Sequence, residues 1–187
     1  MITTNINNIP LEFETTKGVF SPNNIDRGTL AMLAQLQISP ADKLLDLGCG
    51  YGTVGIYAAK VIGAENVVMS DIDRNALTLA QKNAARNGVP NITFHHSDGF
   101  RSIPETAFTH IFSNPPYHAD FSVPKHFIEK GFNRLIIGGR LYMVTKRLDW
   151  YKNKITAIFG GVKVIREEDY FVFIAEKRSA SYTKGKR

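Results

Sequence analysis

From Lys43 to Glu176 the chain alternates short apolar runs with longer stretches of helical period. The apolar runs fall at 43–47, 66–71, 91–96, 107–113, 139–146, 162–167 and 170–176, and each predicts a strand. Between most of them, at 53–62, 74–87, 124–137 and 149–159, apolar residues recur three and four apart, which predicts helices. Gly63 and Asn87-Gly88 punctuate two of the helix ends. Strand alternating with helix predicts an α/β fold with a doubly wound, mostly parallel sheet of seven strands. The last two runs break the alternation. Only Glu167-Glu168-Asp169 lies between them, too few residues for a crossover helix, so they are expected to pair as an antiparallel hairpin. Ahead of the alternation, the first 24 residues are rich in Asn and Thr with short alternating pieces such as Leu11-Glu12-Phe13-Glu14, and predict a small hairpin or irregular arm. Asn24 or Asp26 then opens a helix with the apolar stripe Ile25, Leu30, Leu33 and Leu36, which Ser39-Pro40 closes.

Composition narrows this picture. The chain has 187 residues, 43% hydrophobic and 21% charged, which suits one globular domain and excludes a largely disordered chain. No apolar run reaches the roughly 18 residues of a membrane span, and Met1 to Glu14 lacks the basic and apolar parts of a secretory signal. The one cysteine, Cys49, excludes an intramolecular disulfide and fits a reducing cytoplasm. The net charge of +6 is unevenly spread. Residues 125–154 hold eight Lys/Arg against Glu129 and Asp149, residues 177–187 hold five Lys/Arg and no acid, and the rest of the chain is net acidic. Such a division suits either a solvated basic face or a phosphate-binding flank beside an acidic half.

Candidate chemistry sits at the strand ends. Asp46-Leu47-Gly48-Cys49-Gly50-Tyr51-Gly52 runs a strand through a glycine turn into a helix, where open α/β sheets bind ligands. A dinucleotide-type G-x-G-x-x-G is found only at Gly50, Gly52 and Gly55, with its third glycine inside the helix. An acid at the strand end repels a pyrophosphate and attracts a cation. Asp71 ends the next strand and can take both hydroxyls of a ribose, whereas Asp73 suits the N-cap of the following helix. Asp98, before Gly99 at the third strand end, can take the amino group of an adenine or cap a turn. The fourth strand runs into Asn114-Pro115-Pro116-Tyr117-His118. Two prolines stiffen that loop and remove two N–H donors, leaving the Asn114 side-chain oxygen and the Pro115 carbonyl as acceptors for an incoming NH2 group. Tyr117 offers a face for a planar ring.

These residues, in this order, resemble the class I methyltransferases that use S-adenosylmethionine, over Lys43 to Lys177. The resemblance implies a Rossmann-like methyltransferase fold. It implies that Asp46, Gly48, Cys49, Gly50 and Gly52 form the first cofactor motif, that Asp71 and Ile72 meet the ribose, that Asp98 and Gly99 meet the adenine, and that Asn114 also borders the cofactor. Asn114-Pro115-Pro116-Tyr117 resembles the catalytic signature of the amino-methylating branch. Within it the chain is most similar to the ribosomal RNA guanine-N2 methyltransferases of the small subunit, through Gly18-Val19-Phe20-Ser21 with Ile25-Asp26-x-Gly28-Thr29, through His118 after the loop motif, and through Phe159-Gly160-Gly161-Val162. Long members of that family carry a second, degenerate copy of the domain that helps grip RNA, for which 187 residues have no room.

The expectations are therefore as follows. An arm and helix at 1–40 cover the cofactor site, a methyltransferase domain spans 41–177, and a basic tail fills 178–187. A methyl group passes from S-adenosylmethionine, leaving S-adenosylhomocysteine and using no metal, to an exocyclic amine of a base in RNA, guanine N2 of ribosomal RNA or a ribosomal subunit. Lys125, Lys146, Arg147 and Lys152 hold phosphates. The base is flipped onto Tyr117, and the step runs on positioning without a strong general base. The protein is expected in the cytoplasm, away from membranes, as a monomer or homodimer. Amino-methylation of adenine N6 or of protein glutamine, a non-catalytic RNA-binding module, and a nicotinamide dehydrogenase are the alternatives. The five histidines do not have metal-site spacing, Cys49 has no partner that would make it a nucleophile, and Trp150 and Tyr151 suit packing more than base stacking.

Overall fold

The computed structural model describes residues 1–116 and 120–183. Its elements are β1 (Ile2–Ile6), β2 (Ile9–Phe13), α1 (Arg27–Leu33), β3 (Leu44–Leu47), α2 (Thr53–Ile62), β4 (Val67–Asp71), α3 (Arg74–Arg86), β5 (Thr93–His96), β6 (Phe108–Ser113), α4 (Ser122–Arg134), β7 (Leu135–Thr145), α5 (Asp149–Phe159), β8 (Lys163–Glu167) and β9 (Tyr170–Glu176). Seven strands form one sheet in the order β5-β4-β3-β6-β7-β9-β8. The first five of these run parallel, and β9 pairs antiparallel with both β7 and β8. The strand order reverses between β3 and β6, so the crevice outside their carboxyl ends is the place where such a sheet receives a ligand.

Two apolar clusters sandwich the sheet. On one face α2, α3 and the amino-terminal arm cover Leu44, Val67, Met69 and Phe112. On the other, α4 and α5 cover Leu45, Val68, Ile111 and Phe173. The arm is a hairpin, β1 against β2, closed by Asn7 and Asn8 with φ of 49° and 65°. That pair of left-handed residues is the type I′ turn that suits the twist of a two-residue hairpin. Leu11 and Phe13 bury into the same cluster as α2 and α3. Asn83 of α3, fully buried, accepts from Glu14 N and donates to the Glu14 and Tyr51 carbonyls, so one amide ties the arm to the glycine turn.

Helices α2 and α5 fill the spans their periodicity predicts. Three details differ. Leu30, expected on the buried stripe of the first helix, is exposed; α1 buries Gly28, Thr29 and Met32 beside the expected Leu33, and it ends there, well before Ser39-Pro40. The short, tightly capped helix turns its small residues inward because Tyr170 fills the space beside Gly28. Second, α4 ends at Arg134 and β7 begins at Leu135, not at 139. Ile136 and Ile137 continue the helical spacing, but their β-branched side chains suit an extended chain, and a register shift opposite Phe108–His110 absorbs Gly138 and Gly139. Third, Lys177 is not a surface charge. It is buried, donates to the Leu135 carbonyl at 2.8 Å and lies over the Phe132 ring. Residues 178–183 fold back over α4 and α5, where Tyr182 meets Phe132 and the Glu129 carbonyl and Thr183 N donates to the Ile158 carbonyl.

Candidate active site

The glycine turn after β3 is held by the end of β4. Gly48 N and Cys49 N both donate to the Ser70 carbonyl at 2.9 Å, and Gly50 N donates to Asp71 Oδ2 at 2.8 Å. Gly48 and Gly50 have φ of 74° and 55°, and a Cβ built on either meets nothing within 4 Å. The backbone conformation, not crowding, demands glycine there, and the space left open lies against the crevice. Gly52 differs. It has φ of 104°, and a Cβ on it approaches Ile56 Cδ1 at 2.8 Å, so it serves the packing of α2 against the sheet.

Asp46 reaches across the turn and accepts from Gly55 N at 2.8 Å, capping the first turn of α2, whose own N-cap residue Gly52 has no side chain to do so. Burial pushes its carboxyl up to about 7, with Asp71 adding in the same direction. Asp71 accepts from Gly50 N on one oxygen and from Asp73 N on the other, and burial raises its carboxyl as well. Burial, reinforced by Asp46 and Asp71, pushes the Cys49 thiol well above its ordinary value, which keeps it an un-ionised lining group. Asp98 is exposed at its turn and pairs with Arg101 at 2.9 Å. Gly99 beside it has φ of 56° and lies against the His126 ring.

These groups line one cavity of about 340 Å³. Of the expected residues, Asp46, Gly48, Cys49, Gly50, Asp71, Ile72, Asp98, Gly99, Asn114, Pro115 and Pro116 are on its wall. Gly52 is not, for the packing reason given above. Tyr117 and His118 lie outside the described residues. Phe20, Asp26, Thr29 and Met32 also line the cavity, from the segment expected to cover it, and Ser70 adds a buried hydroxyl with no partner among the described residues.

Asn114 is held from one side. Its Nδ2 donates to Asp26 Oδ2 at 2.9 Å and to Thr29 Oγ1 at 3.0 Å. Its Oδ1 is buried and has no partner among the described residues. A buried carbonyl oxygen left unpaired costs free energy unless something else satisfies it, and Asn114 lines the cavity, so its oxygen suits a donor from outside. Asp26 and Thr29 carry no signal that pairs them with Asn114, 88 and 85 residues away. In the sequence Asp26 reads as a helix cap and as part of the Ile25-Asp26-x-Gly28-Thr29 resemblance, neither of which points to Asn114; it is a cap, through Thr29 N at 2.8 Å.

The basic flank is narrower than its charge count. Arg134 is used on the Ile103 and Glu105 carbonyls, Arg140 pairs with Glu176, and Lys154 with Glu129. Lys125 and Lys152 are exposed on α4 and α5. Lys146 and Arg147 follow β7 on the same rim of the sheet as Asn114; Lys146 pairs with Asp169 at 2.8 Å and Arg147 lies over the Phe121 ring. Trp150 stacks on Phe121 at 4.4 Å and Tyr151 is buried against Phe173, which makes both of them packing residues. Among the described residues, no three His, Cys, Asp or Glu side chains gather as a metal site would require, and no helix is long and apolar enough to cross a membrane.

Known proteins share this arrangement. The chain is 28% identical over 178 residues to the uncharacterized protein YbxB of Bacillus subtilis, covering 92% of this chain and 89% of that one. It is 30% identical over 173 residues to the ribosomal RNA small subunit methyltransferase C of Pseudomonas aeruginosa, covering 90% of this chain and 52% of the relative. The chain thus spans about half the length of that enzyme. Among solved structures, the T. thermophilus 16S rRNA guanine-N2 methyltransferase (RsmC) in complex with AdoMet and guanosine superposes with a TM-score of 0.86 at 29% identity, over 95% of this chain and 50% of that one. Residues 10–175 match the methyltransferase small domain. The match runs from β2 to β9, through every strand end that borders the cavity, and the chain belongs to the methyltransferase small domain family.

Proposed function

We propose that this protein transfers a methyl group from S-adenosylmethionine to the exocyclic amine of a base in RNA, with guanine N2 of ribosomal RNA as the acceptor. The observation that carries the reading is the buried Oδ1 of Asn114, without a partner among the described residues, on a residue that shares the cavity wall with Asp46 and Asp71. Likeness to methyltransferase C and to an RsmC structure holding AdoMet and guanosine supports it.

The residues present fit the donor. Asp71 keeps a lone pair on each carboxylate oxygen beyond those used by Gly50 N and Asp73 N, which suits the two hydroxyls of a ribose. Asp46 supplies negative charge in a buried setting, which favours a cation. Ser70 Oγ, without a partner among the described residues, would offer one more polar contact, and Asp98 and Gly99 would border the adenine. When bound, S-adenosylmethionine supplies a methyl group on a positively charged sulfur. Asn114 Oδ1 and the Pro115 carbonyl would accept the two amine hydrogens and so turn the nitrogen lone pair towards that methyl group. The bond formed at the amine would be C–N and the bond given up by the donor C–S, with the amine's surplus proton passing to water. Tyr117 would stack on the base. Lys125, Arg147, Lys152 and Lys146 would hold flanking phosphates, Lys146 in exchange for its pairing with Asp169.

The test is transfer of labelled methyl to ribosomal subunits from a strain lacking the gene, followed by nucleoside analysis. N2-methylguanosine is expected. Label appearing only in DNA adenine or in peptide glutamine overturns the RNA assignment. Asn114→Ala should bind S-adenosylmethionine as the parent does and lose roughly 100-fold or more in turnover, the scale of removing one aligned polar group at a reacting centre. Near-normal turnover refutes the role of Asn114.

A further inference from the structure

The Asn114 amide could sit in its cradle in two senses, related by a half-turn, and only one presents an acceptor to the cavity. Its neighbours decide between them. Asp26 is buried at 9% exposure and accepts from Thr29, Asn114 and Tyr170. Its Oδ2 takes Thr29 N at 2.8 Å, Thr29 Oγ1 at 3.3 Å and Asn114 Nδ2 at 2.9 Å, and its Oδ1 takes the Tyr170 hydroxyl at 2.9 Å. A carboxylate is an acceptor only. Turning the amide over would set Asn114 Oδ1 against Asp26 Oδ2 at hydrogen-bond distance with no hydrogen between them, and would present NH2 to the cavity.

Tyr170 fixes Asp26 in turn. Its ring lies where a Cβ on residue 28 would be, 2.5 Å from two ring carbons, so Gly28 is what lets the hydroxyl reach the carboxylate. The chain Tyr170–Asp26–Asn114 thus links β9, the start of α1 and the end of β6 through buried hydrogen bonds. Arg27, next in sequence, points to Glu168 instead and does not compete for Asp26.

We propose that Asp26 is a positioning residue for methyl transfer: through the amide of Asn114 it holds Oδ1 towards the cavity as the acceptor for the substrate amine, with Tyr170 as its anchor. The carboxylate also draws on the amide N–H and so raises the electron density on Oδ1, because hydrogen bonds in a chain polarise one another. This rests on the reading that an amine is methylated here, and its test separates the two.

The test uses Asp26→Ser, Tyr170→Phe, Asn114→Ala and the double variant Asp26→Ser/Asn114→Ala. Serine keeps an oxygen to cap Thr29 N, so α1 is retained. The first readout needs no turnover. In the 15N-labelled protein the side-chain NH2 resonances of Asn114, assigned by their loss in Asn114→Ala, are expected to move towards those of a solvated amide in Asp26→Ser and to move less in Tyr170→Phe. The second is steady-state methylation. Asp26→Ser should lower kcat by roughly 10- to 100-fold, the usual effect of removing a group that orients a reacting side chain, a larger factor than the loss of S-adenosylmethionine affinity that removing a cavity-wall carboxylate also brings. In the Asn114→Ala background the same change should cost little more, because residues acting as one unit are not additive. Unmoved amide resonances, or an equal loss in both backgrounds, overturn the positioning role. A parent protein that methylates no RNA while Asp26→Ser still moves the amide resonances overturns the substrate reading and leaves the orientation standing.

Discussion

Asp46 is asked to do two things at once. It caps α2 through Gly55 N, which any acceptor does, and it faces the cavity, where its charge matters. Burial raises its carboxyl from the usual 3.8 to about 7. Between those values the folded chain holds a proton that the unfolded chain does not, so stability falls as pH rises through that window. Ligand binding has the opposite sign, since a cationic ligand selects the ionised form. Affinity for S-adenosylmethionine is therefore expected to rise roughly tenfold from pH 6 to pH 8, following the ionised fraction of a group that titrates near neutrality. Titration calorimetry across that range checks it. Asp46→Asn should flatten the dependence, and a flat profile for the parent would mean that the charge of Asp46 does not contribute.

At the scale of elements, Asn83 is the joint between the arm and the glycine turn. Replacing it with Ala leaves Glu14 N and the Glu14 and Tyr51 carbonyls without their partner. A loss of about 2 kcal/mol in unfolding free energy is expected, measurable by urea denaturation, with unchanged stability refuting the role. That joint shows where reading the sequence stops. Local pattern was enough for α2 and α5, for the alternation of strand and helix, and for the β8–β9 hairpin across Glu168. It was enough for the acids and the Asn-Pro-Pro loop, because a strand that ends in an acid or a stiff loop announces a rim. It failed at Ile136-Ile137, where helical spacing and β-branched chemistry disagree and the chain runs extended through the irregular stretch between the Leu135 and Arg140 pairings with β6. It also failed for Asp26 and Thr29 as partners of Asn114, and for Tyr170 as the partner of Asp26. Each looks ordinary in its own segment, and their meeting is a product of the sheet order.

For the whole molecule, the relevant quantity is how the charge is arranged. Much of the positive excess in residues 125–154 is spent on internal contacts, as Arg134, Arg140 and Lys154 show, and Lys177 is buried. If Lys125, Lys146, Arg147 and Lys152 each meet one phosphate, the logarithm of the affinity for single-stranded RNA should fall with the logarithm of salt at a slope of about −3, from roughly −0.7 per contact. Arg147→Gln should make the slope shallower by about 0.7. Fluorescence anisotropy over a salt series measures both, and a slope near zero removes these residues from the interface.

The place of β9 between β7 and β8 has a consequence in time. Translation delivers Asp46, Asp71 and Asn114 first, and Tyr170 only after every other strand of the sheet has been made. The rim around Asn114 is thus completed from the far end of the chain: the side chain that anchors Asp26 belongs to the last strand made, so a protein truncated before β9 would keep its acids and its Asn-Pro-Pro loop and lose that anchor.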